Sequence, residues 1–404
     1  MTSFEHNGVT IAIVATPKSP VGETGGGEVF TGALANALAE QGFPVRIYGQ
    51  ENPNFGFAEG VTYVETSPTT DEIMANDKVG IRKAVNETGV AAPLRLAMDI
   101  AAAPHNQPWA IIDNDTTSAP LVPLTSSRFP HIFVQHSRMT SHASRIYSRI
   151  KASGGKIVAI ADHQRADVTT QFGPLHDVTI KNGISTTDFT GIQPRHYEPG
   201  QPIHVGTLSR IEPTDMKGVK IAALAVEKLR QRHDAFLTLA GPVLDRATHE
   251  ALVAPSLGDA VEYAGVKRGA EKAEYLSSLH VGAALSNPGG WDEPARRFTS
   301  WFAEGNSLTL HEMIYAGTVP VSTDSGGAEP MKDAGLSDFI VPLDLLPKIG
   351  MDAFTELTAQ KMLEAAYAVI DPAELRSKAR TMEAVGKDYA SYIMQQLDVQ
   401  RTAL

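Results

Sequence analysis

Two glutamates eight residues apart, Glu304 and Glu312, bracket the start of the run AEGNSLTLHEMIYAGTVPVSTDSGGAEP. A polar turn from Glu304 to Ser307 opens a helix predicted to bury Leu308, Leu310, Met313 and Ile314. Gly317 ends that helix, the strand Val319–Thr323 follows, and a glycine turn comes at Ser325-Gly326-Gly327. A helix whose first turn is small and polar leaves N–H groups pointing at whatever lies in front of it, and those groups favour an anion such as a diphosphate. Ionised carboxylates are strong acceptors for diols. Eight residues is about 80° beyond two helical turns, so the two glutamates do not share one face and Glu304 belongs to the preceding loop. Phosphate between two sets of hydroxyls is the chemistry this spacing suits, and a nucleotide sugar has that chemistry.

Other residues carry chemical potential at sharper turns. Gly25-Gly26-Gly27-Glu28 follows an apolar strand and opens a helix with Leu34, Ala35 and Leu38 inside. Glycines there let the backbone approach a ligand closely, although the spacing is not that of the dinucleotide fingerprint and a plain strand-to-helix turn fits equally. His136 stands just past the strand HIFVQ. Asp113-Asn-Asp115 has the spacing of a divalent-metal motif; a lining of the acceptor side or a cap for the following segment is the expected use. Residues 287–302 carry Trp291, Asp292, Arg296 and Trp301, which suit either a sugar-stacking loop or a packed surface loop.

The elements that must hold these residues alternate in type almost from end to end, which predicts α/β layering on parallel sheets. Strands are expected at Thr10–Thr16, Val45–Tyr48, Trp109–Asp113, His131–Gln135, Lys156–Ala161 and Val178–Lys181, then at His204–Ser209, Phe236–Ala240, Val261–Ala264, Val281–Ser286, Val319–Thr323 and Phe339–Pro342. Helices are expected at Gly27–Gln41, within Val79–Ala102, and at Ser141–Ala152, His163–Gln171, Val219–Arg232, Glu271–Leu279, Ser307–Ala316 and Phe354–Val369. The polar, proline-rich stretch 185–202 reads as a linker. A chain of 404 residues exceeds one ordinary core. Two domains, 1–190 and 191–383, are expected, with a helix at 384–404 packing back on the first.

Composition excludes several classes. No run approaches the ~20 apolar residues that span a bilayer, and the N-terminal residues lack a secretory pattern. Cysteine is absent, which removes disulfides, thiolate ligands and thiol nucleophiles; cytoplasmic residence is the expectation. A net charge of −11 argues against a nucleic-acid partner. The segment Arg138–Lys156 is locally basic and suits either a solvated face or peripheral contact with an anionic membrane.

GGGEVFTGALANALAEQGFPVRIYG resembles the opening of the family 4 retaining glycosyltransferases, with Gly25 and Gly26 on the family's glycine pair and Gly42, Phe43 and Val45 on its strand entry. Lys181-Asn182-Gly183-Ile184 with Phe189 resembles the family's interdomain junction, Ser185 standing where an Asp is usual. VGTLSRIEPTDMKG is similar to the Gly-Arg-Leu…Lys-Gly signature, with Lys217 in place and Arg210 in the preferred register. EGNSLTLHE matches Glu-x7-Glu, with Asn306 and Ser307 replacing the usual aromatic residue and glycine.

The resemblance implies a GT-B fold: two doubly wound Rossmann-like domains facing an interdomain cleft. It implies that Arg210 and Lys217 grip the donor diphosphate, that Glu304 and His136 contact the transferred sugar, and that Glu312 holds the ribose. Gly25, Gly26, Gly27, Val266, Ser307, Leu308 and Thr309 would complete the donor side, and Asp115, Arg138 and His142 the acceptor side. It further implies sugar transfer from a nucleoside-diphosphate donor, UDP-linked in the commonest case, to a hydroxyl acceptor. No metal or resident cofactor is expected; the nucleotide sugar is a co-substrate. A nucleotide-sugar epimerase, a glycoside phosphorylase and a non-catalytic relative of the same frame are the alternatives.

Overall fold

Strands buried on both faces need apolar side chains, and central strands of the computed structural model such as Thr10–Val14 and Trp109–Asp113 obey this between their ends, every residue being buried. It describes residues 8–15, 26–49, 55–66, 91–104, 106–114, 116, 118–136, 139–195, 197–212, 215–244, 250, 260–287 and 305–403. The chain divides into two units, one formed by 1–182 with 381–404 and the other by 183–380. The expected divisions lay at 190 and 383.

In the first unit the strands are β1 (Thr10–Val14), β2 (Val45–Gly49), β3 (Val61–Glu65), β4 (Trp109–Asp113), β5 (His131–Gln135), β6 (Lys156–Ala159) and β7 (Val178–Thr179). They form one parallel sheet in the order β3-β2-β1-β4-β5-β6-β7. Four helices matter here: α1 (Gly26–Glu40), α2 (Ala91–Ala102), α3 (Ser141–Ala152) and α4 (Asp162–Phe172). Period-two alternation sends Ile11 and Ile13 to the face covered by Phe30, Leu34 and Leu38 of α1. Ala12 and Val14 go to the other face, with Trp109, Ile111 and Leu96 of α2. β3 was not anticipated, because VTYVE sits in a polar stretch and has only Val61 and Tyr63 to pack against the core under α1.

The second unit repeats the plan. Its strands are β8 (Ile203–Leu208), β9 (Ala235–Ala240), β10 (Val261–Gly265), β11 (Val281–Ala284), β12 (Val319–Thr323) and β13 (Ile340–Val341). They are parallel and ordered β10-β9-β8-β11-β12-β13. The helices used below are α5 (Val219–Arg230), α6 (Gly269–Ser277), α7 (Leu308–Ala316) and α8 (Leu346–Ala366). Each sheet therefore reverses its winding beside its first strand, at β1/β4 and at β8/β11. Ligands of doubly wound sheets bind at the carboxyl ends there.

Stretch 185–202 is not a free linker. Phe189 is buried in the second core, the Arg195 N–H donates to the Ser277 carbonyl at 2.8 Å, and Pro194 closes over Gly317 at the end of α7. The last helix, α9 (Met382–Ala403), belongs to the first unit. Its Val385, Tyr389, Ile393 and Leu397 recur every four residues and are all buried in the core that α1 also covers. Gly386 lies against Ala37, where a Cβ would come within 2.9 Å of the alanine methyl.

Candidate functional site

Polar residues replace apolar ones where β4 and β5 end, and these line the winding reversal of the first sheet. Asn114 follows β4, and its N–H donates to the Val14 carbonyl at 3.2 Å, which ties it to the end of β1. Its Nδ2 donates to Thr31 Oγ1 at 2.7 Å, and Thr31 donates to the Gly27 carbonyl at 2.7 Å. His136 follows β5, and its Nε2 lies 3.2 Å from Asn114 Oδ1. The ring packs edge-on to Phe30 with centroids 4.9 Å apart. Its surroundings push the imidazole down to about 4 by desolvation, opposed by the charge of Glu28, so the ring is neutral at pH 7. The direction of donation is then fixed. Because Asn114 gives its amide protons to Thr31, Oδ1 accepts from a protonated Nε2, and Nδ1 keeps a lone pair for a ligand hydroxyl.

Asp113 serves the fold. Its carboxylate accepts from the backbone N–H of Ser118 at 2.8 Å and from the Ser118 hydroxyl. Ser118 Oγ also meets His131 Nε2 at 2.9 Å, and Thr125 Oγ1 meets His131 Nδ1 at 2.9 Å. Asp113, Ser118, Thr125 and His131 are all buried. The Asp113 carboxylate is thus engaged by Ser118 inside its own turn. Asp115, Gly25, Arg138 and Glu304 lie outside the described residues, as do the tryptophans of 288–302. Gly26 and Gly27 form the first turn of α1, and His142 is exposed on the first turn of α3. Of the basic segment, Arg145 and Arg149 are exposed, whereas Lys151 turns inward to the carbonyls of Pro174 and Leu175 at 2.9 Å.

In the second unit the loop after β8 is stitched to both neighbours of that strand. The Ser209 N–H donates to Ala240 O at 2.9 Å, the Ile211 N–H to Pro242 O at 2.9 Å, and the Asn287 N–H to Met216 O at 2.8 Å. Arg210 is exposed, with a long contact of 3.9 Å to Glu212, and Lys217 is half-buried. Gly218 then starts α5 with φ of 66°, and a Cβ there would overlap the Leu285 carbonyl. This glycine lets the loop carrying Lys217 close onto the end of β11. Asp215, at φ of 48°, accepts from the Lys220 N–H at 3.1 Å through Oδ1. Burial pushes its carboxyl up to about 6, helped by Glu212 and opposed by the N–H groups of Lys220 and Val219.

α7 brings its amino end to the same edge. Ser307 caps it, its hydroxyl accepting from the Leu310 N–H at 3.4 Å, and Thr309 Oγ1 donates to the Leu208 carbonyl at 3.4 Å. Leu310, Met313 and Ile314 face the core as the pattern predicts. Gly317, at φ of 83°, terminates the helix with its N–H on the Ile314 carbonyl. Glu312, one turn in, pairs with Lys272 of α6: Nζ and Oε1 are 2.6 Å apart. Val266, exposed, lies in the turn between β10 and α6. The structure thus gathers Arg210, Lys217, Ser307, Leu308, Thr309 and Glu312 on loops and helix starts at the carboxyl edge of the second sheet. Gly26, Gly27 and His136 sit at the corresponding edge of the first. Sequence reasoning missed Thr31, Asn114 and Lys272. Asn114 was hidden inside an Asp-x-Asp reading, and Lys272 is one of three charged residues, with Glu271 and Glu274, on a helix that packs through Ala273 and Leu276.

Residues 202–359 match the family described as glycosyl transferases group 1. A colanic acid biosynthesis glycosyltransferase assigned in Salmonella typhimurium is 24% identical over 218 residues, 53% of this chain and 50% of that protein. The chain therefore spans about half the length of this curated relative. Among solved structures, the pneumococcal O-GlcNAc transferase in complex with UDP and GlcNAc aligns over 97% of this chain and 100% of its own, with a TM-score of 0.68 at 14% identity. Sucrose-phosphate synthase from Thermosynechococcus elongatus aligns over 96% and 99%, with a TM-score of 0.63 at 16% identity. The fold is that of the GT-B glycosyltransferases: two parallel-stranded Rossmann-like sheets with their helices.

Proposed function

We propose that the protein is a retaining glycosyltransferase of the family 4 type, moving a sugar from a nucleoside diphosphate, UDP in the first instance, to an acceptor hydroxyl without a metal. The observation that carries this reading is the assembly at one sheet edge of Arg210, Lys217, the amino end of α7 and Glu312. The match of 202–359 to group 1 glycosyltransferases covers the same residues. The pneumococcal structure of like fold holds UDP and GlcNAc, which makes this donor class the one to test.

In the proposed reaction the bond between the anomeric carbon and the diphosphate oxygen breaks while the acceptor oxygen bonds to that carbon on the same face. The acceptor's proton passes to the departing phosphate. Arg210 and Lys217 balance the charge that gathers on the leaving group, and preorganised cations do this best where charge develops. In this reading the N–H groups at Ser307, Leu308 and Thr309 face the phosphates, and Gly25, Gly26 and Gly27 are assigned to donor binding. Glu304 and His136 orient the sugar, the latter through Nδ1, and Glu312 takes the ribose. Val266 lies by the base, and Asp115, Arg138 and His142 stand toward the acceptor. Residues 1–190 act as the acceptor-side domain and 191–383 as the donor domain of a cytoplasmic enzyme, with 138–156 either a solvated face or a peripheral membrane contact.

The test is release of nucleoside diphosphate from UDP-, GDP-, ADP- and TDP-sugars in EDTA, with and without acceptors. Release that persists in chelator supports the reading. Activity that collapses with chelator and returns with manganese removes the metal-free part, and conversion of the donor without transfer points to an epimerase.

A further inference from the structure

A ribose-binding glutamate with both oxygens open takes two neighbouring hydroxyls at once. In Glu312 one oxygen is already engaged, and one of its two lone pairs is taken. Lys272 Nζ sits 2.6 Å from Oε1, and the two side chains retain only 19% and 11% of their surface. The second oxygen, Oε2, accepts no hydrogen bond among the described residues. Asp188, on the short turn Thr187–Phe189 that packs against α6, adds a second negative charge that favours the Lys272 ammonium. It stands in the first turn of α6, beside Ala273 and Leu276, where an apolar residue would pack against α7 at lower cost. Burying an ion pair seldom stabilises a fold more than an apolar pair of similar volume does. A largely buried lysine in that place therefore calls for a chemical reason.

We propose that Lys272 is a positioning residue that biases Glu312 toward one ribose hydroxyl: it takes a lone pair of Oε1, fixes the carboxylate plane, and leaves Oε2 as the oxygen with both acceptor positions open. This rests on the nucleotide-sugar reading and goes beyond it, because it assigns the specificity of the sugar contact to a residue on a different helix. The ammonium also cancels the carboxylate's charge, which allows Glu312 to stand near a diphosphate without repelling it.

The experiment is calorimetric titration of the full chain with UDP, GDP and ADP and with the 2′-deoxy and 3′-deoxy forms of whichever binds. In the wild type one deoxy form binds about tenfold or more weakly and the other within about threefold of the parent, because a hydrogen bond to a charged group carries roughly that factor. In Lys272→Met the parent diphosphate weakens by about tenfold and the asymmetry between the two deoxy forms vanishes. Lys272→Arg restores the asymmetry, which a merely structural role would not do. Equal losses for both deoxy forms in the wild type, or an unchanged asymmetry in a folded Lys272→Met protein, overturn the assignment while leaving the nucleotide site standing. A wild-type protein that binds none of the three diphosphates overturns the functional reading and this one with it.

Discussion

His136 Nε2 and Asn114 Oδ1 stand 3.2 Å apart, and that contact decides which nitrogen of the neutral ring carries the proton. Asn114 is locked by Thr31, and Thr31 by the first turn of α1, so the tautomer of His136 is set by a chain of bonds reaching back to Gly27.

Replacing Asn114 with Ala removes the acceptor and leaves the His136 Nε2 proton unpaired in a confined site. The expected cost is about 1–3 kcal/mol of stability in chemical denaturation, together with a loss of transfer activity. Nitrogen-15 spectra of the imidazole should show Nε2–H alone in the wild type and a mixture in the variant.

Four buried histidines predict acid lability. Burial holds His131 at about 3 and His176, His204 and His280 at about 4, below the ordinary 6.5. Each stays neutral in the fold while its unfolded counterpart takes a proton, so stability is lost as pH falls from about 6.5 toward 4. At pH 5 each contributes roughly 2 kcal/mol of destabilisation relative to pH 7.5. Urea midpoints measured across this window should fall steeply with acid; flat midpoints would contradict the neutral, buried placement.

Asp215 pulls the other way. Its folded value of about 6 lies above the ordinary 3.8, so the fold binds the proton more tightly than the unfolded chain does. Its contribution is fully present below about 3.8 and is lost as pH rises through 6. Asp215→Asn keeps an acceptor for the Lys220 N–H and removes the buried charge. The variant should therefore be more stable than wild type at pH 7.5, by up to about 3 kcal/mol, and equal to it near pH 4.

Removal of residues 381–404 should unfold the first unit. Val385, Tyr389, Ile393 and Leu397 are buried against its core, and burial of such side chains stabilises by about 1.5–3 kcal/mol each, a sum comparable to the whole stability of a domain. Circular dichroism and hydrogen exchange on the truncated chain report this directly; a native first unit without the helix would contradict it.

What the sequence revealed and what it concealed have physical causes. TIAIV, WAIID and HIFVQ announce buried parallel strands because both faces of such a strand demand apolar residues. Ser307 and Gly317 bound α7 in the residues as clearly as in space, since caps are local chemistry. VTYVE at 61–65 stayed hidden because an edge strand pairs on one side only and packs through few residues. The Lys272–Glu312 pair spans forty positions, and the Asn114–Thr31 bond spans eighty-three, so no local pattern encodes either. Stretch 185–202 looked like a linker because prolines and glycines also suit a strap laid over a core. Gly218 gives no hint in sequence that its Cβ has no room beside Leu285.

The proposed activity requires a diphosphate gripped at the end of β8. Thermal melting of the wild type and of Lys217→Ala with UDP, GDP, ADP and TDP at millimolar levels tests it most directly. At least one diphosphate should raise the wild-type melting point by a few degrees, as binding at about a hundredfold above Kd contributes roughly 2.7 kcal/mol. The rise should disappear in a folded Lys217→Ala protein. A wild type indifferent to all four, or a variant shifted as far as the wild type, would contradict the claim.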